Sequence, residues 1–214
     1  MTNGQIIPPE SSSPPNTTVF SQLGANSVQI GSAGTVNASV FLTMPPPAGA
    51  AGVPSAQVAL SRDYYQLIVT TEFDPSTRTV PMDPKRALTE SMGPNTEQLK
   101  ILDHAAIEIL KTYPALIMNE NESYGRASEE QFAYLAVVTN IRNGVRGLRI
   151  EYAPFSQIPQ QRINELLEEL DLLGSKTFNE LNRTHWAVKN VNLIHELTNA
   201  KIGVFMTTPA GGQP

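Results

Sequence analysis

The chain has 214 residues, a formal net charge of -5, a pI near 5.2 and no cysteine. Length fits one domain with or without tails, and the absent thiols exclude disulfides, a thiol nucleophile and thiolate metal sites. The acidic balance gives no basic footprint for nucleic acid or an anionic membrane, and no apolar run approaches the roughly 18 residues of a spanning helix.

Charge is distributed unevenly. Before Arg62 there is no Lys or Arg, and the only acid is Glu10. This boundary divides the chain into a nearly uncharged tail, residues 1–60, and a folded domain, residues 61–208, with a frayed end at 209–214. The first 18 residues are rich in Pro, Ser, Thr and Asn and carry too little apolar surface to offset chain entropy, so they are expected to be disordered. Residues 19–43 interleave β-branched and apolar residues with Ser, Asn and Gly. Residues 45–54 (Pro45-Pro46-Pro47-Ala48-Gly49-Ala50-Ala51-Gly52-Val53-Pro54) read as a linker, stiff and then flexible. No cationic and apolar leader opens the chain, and the lack of cysteine fits a cytoplasmic protein.

In the charged part, residues 64–73 have strand composition, ended by Asp74-Pro75. Residues 74–93 read as loop or short turns. Asn95 or Thr96 can cap a helix to about Thr112, with Leu99, Leu102, Ala106, Ile109 and Leu110 on one stripe and Pro114 as its stop. Asn143-Gly144 between two apolar-rich runs predicts a two-residue hairpin turn. That register pairs Arg142 with Val145 and Ile141 with Arg146. Leu135, Val137, Ile141, Leu148, Ile150 and Tyr152 then share a core face, and Asn140, Arg142, Arg149 and Glu151 a solvent face. Ser156 and Pro159 open a helix expected to reach Leu173, with Gly174 as its C-terminal cap. A shorter helix is expected from Val191, capped by Asn190, to Lys201, and residues 204–206 read as a last strand. Strands, helices and an antiparallel hairpin together make the expected class α+β.

Within the tail stands Leu23-Gly24-Ala25-Asn26-Ser27-Val28-Gln29-Ile30-Gly31-Ser32-Ala33-Gly34-Thr35-Val36-Asn37. Its Val28-Gln29-Ile30-Gly31 tetrad resembles the core of the RIP homotypic interaction motif and the similar amyloid signalling motifs of immune-type proteins. Gly34 stands where that pattern usually has Asn. The resemblance implies homotypic assembly through Val28, Gln29, Ile30, Gly31, Val36 and Asn37. It also implies a role in immune or antiviral signalling, with the partner being the chain itself or a protein bearing a matching motif. The physics agrees with the resemblance. In a cross-β stack identical side chains repeat every 4.7–4.8 Å, so charge would repel its own copies, and this segment has none. Gln29 and Asn37 can form amide ladders while Val28, Ile30 and Val36 supply a dry face. Ordering eight residues costs about 8–16 kcal/mol, more than a lone hairpin recovers, so the segment is expected to order only in an assembly.

The domain offers fewer chemical signals. Residues 179–189 hold one of three histidines and the sole Trp, and His185 with Arg183 would suit a general base beside an anion-binding group. Glu72 is a third candidate, and the enzyme this set would make is a small hydrolase or nuclease-like protein. The plainer reading of the segment is a Trp-anchored packing unit in which His185 and Arg183 cap carbonyls or pair with acids. His104 lies beside Asp103 and one turn from Glu108, but His104, His185 and His195 share no ligand spacing. Asp63, Glu72 and Asp74 form an acid group in sequence around the first strand, and Arg142, Arg146 and Arg149 a basic one near the hairpin. No phosphate cradle or nucleophile elbow is present, and neither metal nor cofactor is expected.

Overall fold

The computed structural model describes residues 28–29, 40–44, 56–71, 73–89, 91, 93, 96–145, 147–174 and 178–203. Ahead of the domain, Val28–Gln29 (β1) pairs antiparallel with Val40–Met44 (β2), which pairs antiparallel with Ala56–Leu60 (β3). Leu60 is buried in the domain core, and the amide of the next residue, Ser61, donates to the Thr112 carbonyl (2.8 Å), so β3 runs directly into the folded unit.

The folded unit is α+β. Its strands are Tyr65–Thr70 (β4), Thr79–Met82 (β5), Pro114–Asn119 (β6), Phe132–Gly144 (β7), Gly147–Pro159 (β8) and His185–Lys189 (β9). They form one mixed sheet in the order β5-β8-β7-β6-β4-β9, in which only β4 and β6 run parallel. The crossover between these two carries helices Thr96–Ile101 (α1) and His104–Lys111 (α2), as parallel neighbours require. Gln160–Asn164 (α3) and Leu193–Asn199 (α4) follow later in the chain.

Both faces of the sheet are covered. Leu67, Val69, Leu116, Met118, Leu135 and Val137 pack with Ile163 of α3 and with Leu193 and Leu197 of α4. Ile68, Ile117, Val138, Ile150 and Trp186 pack with Leu99 of α1 and with Ala106 and Leu110 of α2. A strand buried on both faces reads as a continuous apolar run, which explains β4, where every residue is buried.

Several local expectations are corrected. The helix expected from 96 to 112 is two helices. Leu102 adopts a left-handed φ of 53°, and the Asp103 carboxylate accepts from the Ala106 amide (2.8 Å), starting α2 anew. Pro114 opens strand β6, where a missing N–H is tolerated at the first residue. Residues 79–82, expected to be loop, are β5. Residues 156–159 continue β8, and α3 ends at Asn164. Turns follow α3 to Asp171, whose φ of 54° marks the end of that run, so Gly174 is not its cap. At Gly174 the backbone of Phe178 passes too close for a Cβ. Helix α4 starts at Leu193, with the Asn192 side chain accepting from the His195 amide. Residues 204–206 lie outside the described residues.

The hairpin is present with its turn two residues later than expected. Gly144 pairs with Gly147, so the chain reverses between these two glycines. Gly147 has φ of 118°, and a Cβ there would come 2.8 Å from the Met82 carbonyl oxygen of β5, so this close approach places a glycine at 147. A register shift between Val138 and Asn140 then moves Leu135 and Val137 to the face opposite Ile141, Leu148, Ile150 and Tyr152. One inserted residue reverses the side-chain alternation, which is why a uniform register merged two cores into one. Arg142 and Arg149 are exposed at the outer end, where Arg142 bonds Glu151 (3.0 Å).

Candidate functional site

A buried polar cluster lies where β9 meets the 3-10 turn Glu180–Asn182. Asn179 caps that turn, accepting from the Leu181 amide (2.9 Å), and this places the Glu180 side chain against β9. His185 and Lys189 are the first and last residues of β9, so they lie on the same side of an alternating strand. Glu180 bridges them. Its Oε1 accepts from Lys189 Nζ at 2.5 Å, and its Oε2 lies 3.0 Å from His185 Nε2. Lys189 Nζ also reaches Asp171 Oδ2 at 3.4 Å. His185 and Lys189 side chains are each only 2% exposed.

The histidine is held at both ends, because its Nδ1 lies 3.0 Å from the Arg183 carbonyl oxygen. Both ring nitrogens thus contact oxygens, and the cluster joins His185 and Lys189 to the side-chain carboxyl groups of Glu180 and Asp171. Burial pushes the Glu180 carboxyl up, but hydrogen bonds from His185 and Lys189 outweigh it and hold the group below the ordinary glutamate value. Tyr65, opposite Lys189 in the β4–β9 ladder, donates its hydroxyl to the Leu170 carbonyl (2.7 Å). Burial above all, and then the nearby Glu180 and Asp171 carboxylates, raise the Tyr65 pKa well above its usual value.

A second polar group lies at the carboxyl end of β6. Asn121 Nδ2 donates to Asn164 Oδ1 (2.7 Å), and Gln160 Nε2 donates to Asn121 Oδ1 (2.9 Å) and to the Asn119 carbonyl (2.8 Å). Beside it Thr184 Oγ1 donates to Glu120 Oε1 (2.5 Å), and Arg86 Nη1 donates to the Thr184 carbonyl (2.8 Å). Sequence reasoning missed these amides. The one signal was the polar run Asn119-Glu120-Asn121-Glu122 directly after an apolar stretch.

The structure brings His185 together with Glu180 and Lys189, neither of which stood out as its partner in the sequence. Arg183 lies with its guanidinium 5.9 Å from the centre of the Phe178 ring. Glu72 lies outside the described residues. Buried, with both ring nitrogens engaged inside the protein, His185 presents neither to a substrate. His104 and His195 are exposed on α2 and α4, away from the buried His185. Asp63 and Asp74 flank opposite ends of β4. Among the described residues no group of three or more metal-capable side chains converges, and no helix is long and apolar enough to cross a membrane. Of the tail motif, Val28 and Gln29 are described, as β1; Ile30, Gly31, Val36 and Asn37 lie outside the described residues.

These features define an α+β domain with one six-stranded mixed sheet, covered on both faces, and a buried ion cluster at its β9 edge. No protein-family model, curated protein sequence or solved structure matches the chain.

Proposed function

We propose that this protein assembles, or is recruited, through strand stacking of its tail around Val28-Gln29-Ile30-Gly31, delivering its α+β domain to an immune or conflict signalling assembly. The observation that carries the reading is the contrast between the two sheets. Val28 and Gln29 are extended and pair with Leu42 and Phe41 on one side, and among the described residues no strand pairs with β1 on the other. An unpaired strand side is a template for another chain, and the uncharged sequence around it lets identical copies stack. The six-stranded sheet offers no such template, since β5 carries Pro81 and the backbone of β9 is covered. The partner is a second copy or a protein bearing a matching tetrad.

The buried ion cluster supports a structural role for His185 and leaves the tail as the better-supported carrier of function. Thioflavin-T fluorescence and electron microscopy of the full chain and of a peptide of residues 19–43 test this. Fibres should form, and Gln29→Ala with Ile30→Ala, or Ile30→Lys alone, should abolish them while the thermal melt of the domain stays unchanged. A peptide that stays monomeric at high concentration, even with seeds of a related motif, refutes the reading.

A further inference from the structure

The outer end of the β7–β8 hairpin has one core face and one bare face. Ile141, Leu148 and Ile150 pack inward with Val80 and Met82 of β5. On the other face Arg142 and Arg149 are direct partners in the ladder, and Pro81 of β5 stands beside Arg149. All three are exposed, and the next pair outward, Gly144 and Gly147, carries no side chain. In these two rows the arginines are the only long side chains, standing on an otherwise flat patch of sheet.

Charge around the patch is one-sided. Residues 131–150 include no acid, in a chain whose net charge is -5. Like charges directly opposite in a ladder repel, so the Arg142–Arg149 pair weakens the hairpin unless an anion lies across it. Glu151 answers only part of this charge, bonding Arg142 at 3.0 Å. Among the described residues no carboxylate pairs with Arg149. Lys85, exposed on the turn after β5, has no ion-pair partner among them either, and the Asp83 carboxylate beside it accepts from the Lys85 amide (2.9 Å). Pro84 Cδ would stand 3.5 Å from a Cβ at Gly147, which brings the Lys85 turn to the same corner.

We infer that this corner is a contact site for the phosphodiester backbone of a nucleic acid, with Arg142 and Arg149 binding phosphates and Lys85 at the rim. Directly opposite residues of an antiparallel pair have Cα atoms about 4.5–5.5 Å apart, so the two guanidinium groups can reach neighbouring phosphates of one strand. Each guanidinium presents paired donors that match two phosphate oxygens. The bare glycine row beside them lets a polymer lie close to the sheet. Phosphate contacts carry no sequence information, so the binding is indifferent to sequence. The rest of the acidic chain repels the same polymer, so affinity is low and falls steeply as salt rises. Val145 is the exposed apolar residue at this corner, and one valine is too little apolar surface to hold a membrane. The site is independent of whether the tail stacks.

The test uses the full chain carrying Gln29→Ala and Ile30→Ala, which alters the tail tetrad without adding charge. The probes are a labelled DNA duplex and a labelled RNA single strand, which share the phosphodiester backbone. Fluorescence anisotropy at low salt should report binding, and log K for the duplex should fall against log salt with a slope of about -2, as two neutralised phosphates require. Arg142→Ala and Arg149→Ala should each make that slope shallower by about 1, and the two together should abolish binding. Arg149→Lys keeps the charge and should keep most of the slope. Lys100→Ala, which removes a cation of α1 paired with Glu97, should leave binding unchanged. Trp186 emission checks that each variant is folded. Failure of both probes to bind at low salt, a slope that Arg149→Ala leaves unaltered, or binding to phosphatidylserine vesicles without binding to either nucleic acid each overturns the inference.

Discussion

Replacing Glu180 by glutamine changes little in volume but removes the charge that His185 and Lys189 share. The carboxylate accepts from both, at 3.0 and 2.5 Å, and a glutamine can accept from only one while its amide hydrogens face the other. Lys189 would keep Asp171 at 3.4 Å, but that side chain is 48% exposed and holds the weaker contact. Breaking a buried ion pair from one side costs about 3–5 kcal/mol, because a cation is left desolvated without its partner. For a domain of this size each kcal/mol lowers Tm by about 2–4 °C, so the variant should melt about 6–20 °C lower. Trp186 is the sole tryptophan and is fully buried, which makes its emission during urea unfolding a direct report on this core. A triple variant, Glu180→Met with His185→Phe and Lys189→Met, removes all three polar partners together and should recover most of the loss. A single variant costing less than about 1 kcal/mol, or a triple variant as unstable as the single one, would refute the charge argument.

The same carboxylate sets an acid limit. Glu180 is held below 4.5, the ordinary glutamate value, so its contribution to stability is fully present above 4.5 and lost as pH falls through its lower folded value. The urea midpoint of the wild type should therefore fall on acidification below 4.5, and more steeply than that of Glu180→Gln; parallel curves would contradict the assignment. Gly147→Ala forces a Cβ to within 2.8 Å of the Met82 oxygen at a positive φ and should lower stability by about 1–3 kcal/mol in the same urea assay. Asp103→Ala removes the α2 cap and should cost about 1 kcal/mol, with faster amide exchange confined to the first turn of α2. Arg142→Ala breaks a pair whose arginine is largely exposed and should change the urea midpoint by less than the equivalent of about 1 kcal/mol.

What local sequence determined is what short-range physics decides. The absence of cations before Arg62, the α+β class, β4, the strands on either side of the hairpin and the presence of α4 follow from composition, periodicity and capping within a few residues. Tertiary structure decided the rest. β6 and β9 are short apolar runs that no periodicity separates from a buried helix, and they become strands because β4 lies between them. The hairpin register depended on β5, whose carbonyl forbids a side chain at 147, and on an inserted residue that sends Val137 and Ile141 to opposite cores. Around His185 the sequence showed a histidine, an arginine and a tryptophan close together. Folding carries Arg183 out to the Phe178 ring and brings in Glu180 and Lys189 as partners, because the 3-10 turn and the alternation of β9 aim those side chains at one buried point.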